Sequence, residues 1–170
     1  AGSTVTNSGT ILVGAGSALI SGALTDAGGT LTVNGGILWS GFRLTGGTLG
    51  GTSATVLAGH AITLDGVTLA ADLTVNDDAG VTVRNGLTLA AATVTLADTS
   101  NTSNGTRLEF DGTQMLGGTG EVVFAGTYLN NIVRATSGGT LTLGAGITIH
   151  GSQHGTVGNG NLPLVNQGTI

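Results

Sequence analysis

The sequence predicts an all-β protein, a single-stranded parallel β-helix with three short strands in each coil of about 20 residues and about eight coils in all. Three observations carry that expectation. Aliphatic–Thr–aliphatic tripeptides recur along the chain, every third strand restarts after a nearly constant interval, and glycine stands at almost every boundary between strands.

The tripeptides are Leu31-Thr32-Val33, Ile62-Thr63-Leu64, Val67-Thr68-Leu69, Leu73-Thr74-Val75, Val81-Thr82-Val83, Leu87-Thr88-Leu89, Val94-Thr95-Leu96, Leu141-Thr142-Leu143 and Ile147-Thr148-Ile149. Alternation in a strand sends both aliphatics to one face and the threonine to the other. Threonine is β-branched and accepts water, so it suits the outer face. Helices are disfavoured, because 33 of the 170 residues are glycine and 29 are threonine. Both residue types are poor helix formers, and no apolar stripe of helical period persists beyond a turn.

Residues 1–61 accommodate about three coils. From there the interval is explicit: Val81 follows Ile62 by 19 residues, Leu87 follows Val67 by 20 and Val94 follows Leu73 by 21. Two-residue hairpin turns are not the recurrent connector. Asp65-Gly66, Ala79-Gly80 and Asn85-Gly86 instead supply corners where positive φ is needed. The polar run Asp98–Gly105 predicts a loop bulging from the stack. Strands are then expected near Leu108, Met115 and Val122, near Ile132, Leu141 and Ile147, and near Val157, Val165 and Ile170. The strands follow one another along 1–170 as a single segment. Asn7-Ser8-Gly9-Thr10-Ile11 and Asn166-Gln167-Gly168-Thr169-Ile170 match at an offset of 159 residues, which points to one module of a longer repetitive chain. Gly29-Thr30-Leu31-Thr32-Val33 and Gly139-Thr140-Leu141-Thr142-Leu143 are a second such pair.

Composition excludes several functions. Nine acidic residues against four arginines and no lysine give a net charge of −5, which cannot neutralise a phosphate backbone, so no nucleic-acid partner is expected. Without cysteine there is neither a disulfide framework nor a thiolate metal site. With 39% apolar residues and only 8% charged, the chain is opposite to the disordered type. No apolar run is long enough to insert in a membrane, and residues 1–25 lack the basic start of a signal peptide. Because the chain opens on Ala1, it reads as a mature or excised piece of something longer.

Chemistry-bearing candidates are few, and no catalytic residue and no cofactor is expected. Asp72, Asp77 and Asp78 bracket one strand and its corner, with Asp65 nearby; such carboxylates could ligate calcium or simply be solvated turn acids. His150 and His154 are four apart but follow a strand rather than a helix, and His60 is isolated. Ile11-Leu12-Val13-Gly14-Ala15-Gly16 resembles a dinucleotide-binding turn without its third glycine, and reads as a corner. Glu109 and Asp111, beside Arg107 on one strand face, are the best carboxylate pair for glycoside chemistry, but a single exposed charged stripe is more often a solubilising face. Thr4/Thr6, Thr30/Thr32, Thr93/Thr95 and Thr140/Thr142 form Thr-x-Thr pairs of the sort that could match ice, but they do not fall on successive coils. Trp39, Phe42 and Tyr128 are candidates for stacking on sugar rings, against the plainer role of filling core or corner. Asn101 and Asn104 head overlapping glycosylation sequons in the expected loop.

The strings Gly138-Gly-Thr-Leu-Thr-Leu-Gly-Ala-Gly-Ile-Thr-Ile-His-Gly151, Gly117-Gly-Thr-Gly-Glu-Val-Val-Phe124 and Leu164-Val-Asn-Gln-Gly-Thr-Ile170 resemble the strand repeats of very large bacterial surface proteins, such as autotransporter passengers and filamentous-haemagglutinin-like adhesins. The resemblance implies a secreted, cell-surface β-helix, right-handed as parallel crossovers are, that acts as an adhesive or structural rod. It transfers no catalytic residue. Its expected partners are further repeats or other copies stacked end to end, and host or surface glycans. The alternative is a self-assembling component of an S-layer, sheath or fibre; a carbohydrate-active enzyme or an ice binder ranks below both.

Overall fold

The computed structural model describes residues 4–14, 18–19, 22–100, 104–128 and 130–170. Among them there are seventeen strands and no helix. In chain order they are β1 (Thr4–Asn7), β2 (Thr10–Val13), β3 (Ala18–Leu19), β4 (Ala23–Asp26), β5 (Thr30–Leu38), β6 (Arg43–Thr45), β7 (Thr48–Val56) and β8 (Ala61–Leu69). They continue as β9 (Asp72–Asn76), β10 (Gly80–Asp98), β11 (Thr106–Asp111), β12 (Gln114–Gly126), β13 (Asn131–Thr136), β14 (Leu141–Leu143), β15 (Gly146–Gly151), β16 (Gly155–Val157) and β17 (Leu164–Asn166).

Every pairing between strands is parallel, and the pairings fall into three ladders. The first runs through β1, β4, β6, the start of β8, the start of β10, β11, β13 and β16. The second takes β2, the starts of β5 and β7, the end of β8, the middle of β10, the start of β12, β14 and β17. The third takes β3, the ends of β5 and β7, β9, the end of β10, the end of β12 and β15. The ladders are not independent sheets. β7 pairs with β8 and β9, and β10 pairs with both, so these four parallel strands close a ring.

Register explains the tripeptides. In the first ladder Leu24, Leu44, Leu64, Val83, Phe110 and Ala135 lie opposite one another, all buried. In the second, Leu31, Leu49, Leu69 and Leu89 align, and in the third Leu38, Val56, Val75, Leu96 and Phe124. All three columns belong to one continuous apolar core. Each fully buried aliphatic contributes about 1.5–3 kcal/mol relative to exposure.

Corners are tighter than separate strands would require. β10 runs unbroken for 19 residues through two bends, where its register slips between Arg84 and Leu87 and between Ala90 and Ala92. Asn85 (φ 52°) and Gly86 (φ 84°) make the first bend, and Ala91 (φ 57°) makes the second. Beside that second bend, β12 places Gly118 (φ 82°) opposite Leu89, where a Cβ would lie 2.0 Å from the Leu89 carbonyl oxygen.

Two expectations need correction. The polar run does not begin a loop at Asp98, which is the last residue of β10 and fully buried. The connection is therefore 99–105, of which 101–103 lie outside the described residues. Ile170 is in no strand; the last pairing there is a bridge from Thr148 to Thr169. The 159-residue match joins unlike positions: Asn7 ends a first-ladder strand and Asn166 a second-ladder strand, although each Oδ1 accepts the N–H two residues on at 3.1 Å. Gly29–Val33 and Gly139–Leu143, by contrast, both enter the second ladder.

Candidate functional site

The three ladders present three chemically different outer surfaces, because alternation exports every second residue. All four arginines lie on the first ladder, and each meets a carboxylate. Arg43 pairs with Asp65. Arg84 Nε donates to Asp111 Oδ2 at 3.0 Å. Arg134 Nε and Nη2 both donate to Glu109 Oε1, at 2.9 and 2.6 Å, while Arg107 Nε stands 3.9 Å from Glu109 Oε2. Glu109, Asp111 and Arg107 thus project outward together, but each carboxylate is occupied by an arginine of an adjacent strand rather than poised toward a shared substrate. With Asp26, which is buried and accepts a 2.8 Å bond from Asn7 Nδ2, the ladder balances to zero charge.

Asp65 shows how the ion pairs are built. Burial pushes its carboxyl up, but hydrogen bonds from Asn85 and Arg43 and the charges of Arg43 and Arg84 outweigh it, so the group sits below its ordinary value. The carboxyl of Asp111 is also lowered, by a hydrogen bond from Ser137 and by Arg84.

The third ladder and the corner after it carry the remaining acids: Asp72, Asp77, Asp78, Asp98 and Glu121. Their chain-wide excess of five negative charges is therefore on one side. Asp72 Oδ1 accepts Thr93 N–H at 2.9 Å, and Asp77 accepts both the N–H and the hydroxyl of Thr99, which lowers its carboxyl. Asp78 occupies a left-handed turn position (φ 55°). The expected calcium candidates thus close corners between adjacent strands. Among the described residues no three His, Asp or Glu side chains group closely enough to hold a metal ion.

Asp98 is different. Its side chain points inward, where burial raises its carboxyl, helped by the charges of Asp77 and Asp78. Its Oδ2 has no partner among the described residues. Fully buried Asn131 braces this corner, accepting Asp98 N–H and donating to the carbonyls of Ala125 and His154.

The second ladder carries no charge at all. Thr10, Thr30, Thr48, Thr68 and Thr88 stand opposite one another on five successive strands, facing out. The intervals of 20, 18, 20 and 20 residues were a readable signal for this column, hidden because threonine is everywhere. The Thr-x-Thr pairs are spread over the three ladders, and the two that share the second, Thr30/Thr32 and Thr140/Thr142, are not on neighbouring strands, so the pairs do not stack. Leu12, Met115 and Val165 also project from this surface, at 68%, 45% and 43% exposure. Met115 borders two shallow grooves of about 190 and 470 Å³, both of which include Asn85 and Gly86.

The aromatic candidates separate. Phe42 is buried and belongs to the core, so it is not available to a sugar ring. Trp39 is 41% exposed at a corner, its ring 4.6 Å from that of His60 and tilted by 39°. Tyr128 is half-buried in the bend after β12, its N–H donating to Asp98 O at 2.9 Å. His150 Nε2 lies 3.1 Å from Glu121 Oε2 on the third ladder, away from His60. Asn104 is exposed beside β11, and Asn101 is outside the described residues, as are residues 15–17 of the Gly14–Gly16 turn.

No protein-family model, curated protein or solved structure matches this chain.

Proposed function

We propose that the chain is a right-handed, single-stranded parallel β-helix of about eight coils, serving as a stiff structural and adhesive segment of a large secreted bacterial surface protein. The observation that supports this most is the side-chain register. Three parallel ladders advance together by about one coil per strand and share one apolar core. An architecture of that kind extends by adding strands, at about 4.8 Å per coil, so eight coils make a rod roughly 40 Å long. The charge pairs of the first ladder and the corner caps of the third are local supports of such a stack.

The surface role rests on the resemblance of the strand repeats. The second reading, a sheath-, S-layer- or fibre-forming component, is favoured by the uncharged outer surface of the second ladder. Immunogold electron microscopy of source cells with an antibody to this segment separates them. Label along thin projections supports the rod, and label in an ordered coat supports the lattice. Label confined to the medium overturns both.

A further inference from the structure

One of the three outer surfaces of this molecule carries no charged side chain. The excess of five acids sits on the third ladder and its following corner, the first ladder is balanced, and the second is uncharged. Three of the six large hydrophobic residues exposed among the described residues, Leu12, Met115 and Val165, project from that uncharged surface, Leu12 opposite Thr32 and the other two opposite Thr142. From this we infer that the second-ladder surface is a side-by-side docking face for a second copy of the same chain. The inference deepens the rod reading and rests on it.

A second copy fits better than a partner of other chemistry for two reasons. Every copy carries −5, so copies repel through any approach that brings third ladders together. Back-to-back contact of the uncharged faces keeps the acidic sides out of the contact and buries no charged side chain. The relief is also self-complementary. The exposed Met115 side chain stands beside the groove over Gly86 and Gly117, flanked by Thr68 and Thr88, so a two-fold pairing can seat each methionine in the other copy's groove. Methionine adapts its shape to such gaps.

The size of the face sets the strength. With each methionine seated in the other copy's groove, about six strands of the ladder overlap, a strip of roughly 24 by 10–15 Å at about 4.8 Å spacing. Two such strips cover about 500–700 Å² in total, below the size of stable specific contacts. A pair of these chains is therefore held weakly, while longer rods gain by repetition of the same contact.

Sedimentation equilibrium of the 170-residue chain up to about 1 mM tests this. A reversible monomer–dimer equilibrium is expected, strengthened by added salt because salt screens the mutual repulsion. Met115→Glu and Thr88→Glu should each weaken the dimer by about tenfold or more, while Thr95→Glu on the third ladder leaves it unchanged or weakens it less than twofold. Because the chain has no cysteine, Thr88→Cys and Thr95→Cys supply a second readout that does not introduce charge: oxidation should cross-link the first and spare the second. Monomer throughout, equal cross-linking of both variants, or open-ended polymers insensitive to Met115→Glu would each overturn side-by-side docking. Rod-shaped small-angle scattering from the monomer would still support the rod; compact scattering would remove the rod as well.

Discussion

The side-chain Oδ1 of Asn131 accepts the backbone N–H of Asp98 at 3.3 Å, at the corner where β10 ends, and both residues are fully buried. One amide therefore satisfies three groups in three segments, since its Nδ2 also reaches Ala125 O and His154 O at 3.2 and 3.4 Å.

Replacing Asn131 by Leu should cost about 2–4 kcal/mol, because it orphans a buried donor and two carbonyls at once. Urea denaturation followed by far-ultraviolet circular dichroism measures it. A cost below about 0.5 kcal/mol would mean that water replaces the amide.

Acidity acts in two opposite senses. Asp98 has a raised carboxyl, so the folded state binds its proton more tightly than the unfolded chain does. Its contribution to stability is present at acidic pH and is lost as pH rises through the folded value. Asp65, Asp77 and Asp111 are lowered, so their contributions are present above the ordinary carboxylate range and are lost as pH falls toward their folded values. Asp98→Asn should therefore raise the melting temperature at pH 7 and have less effect at pH 4. An unchanged or lower melting temperature at pH 7 would show that the charged carboxylate is needed at that corner.

Backbone conformation separates two glycines of nearly equal φ. Gly28 (φ 80°) has open space where a Cβ would go, so Gly28→Ala should cost about 1 kcal/mol from the left-handed conformation alone. Gly118 (φ 82°) adds a clash with Leu89 O, and Gly118→Ala should cost about 3 kcal/mol or more. The reverse change at left-handed Ala91, Ala91→Gly, should be neutral or stabilising by up to about 1 kcal/mol. Denaturant midpoints of the three variants test this order.

Leu69 and Leu12 lie on the same ladder but on opposite sides of it. Leu69 is fully buried and Leu12 is 68% exposed. Leu69→Ala should cost about 2–5 kcal/mol, whereas Leu12→Ala should stay within about 0.5 kcal/mol. Thermal unfolding of both variants is sufficient to compare them.

Much of this was legible in the sequence because a strand's period of two is strict. Each aliphatic–Thr–aliphatic triplet over 62–96 buries its two aliphatics as expected. Alternation also placed Arg107, Glu109 and Asp111 on one outer surface, but could not reveal their partners. Arg84 and Arg134 are 27 and 25 residues from the acids they bind, longer than the interval of about 20 between strands over 62–96, and the connection before β11 lengthens the first of them. Strand continuity was not readable either. Ala91 turns a corner with no glycine signal, so β10 absorbs three expected strands. Asp98 misled because an acid heading a polar run reads as loop, whereas here it points inward against Asn131. Phe42 takes the plainer of its two expected roles: it closes the core while its neighbours Gly41 and Arg43 are exposed.

The confinement of all four arginines to first-ladder strands decides how digestion would proceed. Trypsin cuts after arginine and lysine, and this chain has no lysine. Arg43, Arg84, Arg107 and Arg134 each lie in a strand hydrogen-bonded to neighbours, with none in a connecting loop. Cleavage therefore waits for strands to detach, and the rate of tryptic loss counts opening events of the fold rather than the fraying of its corners.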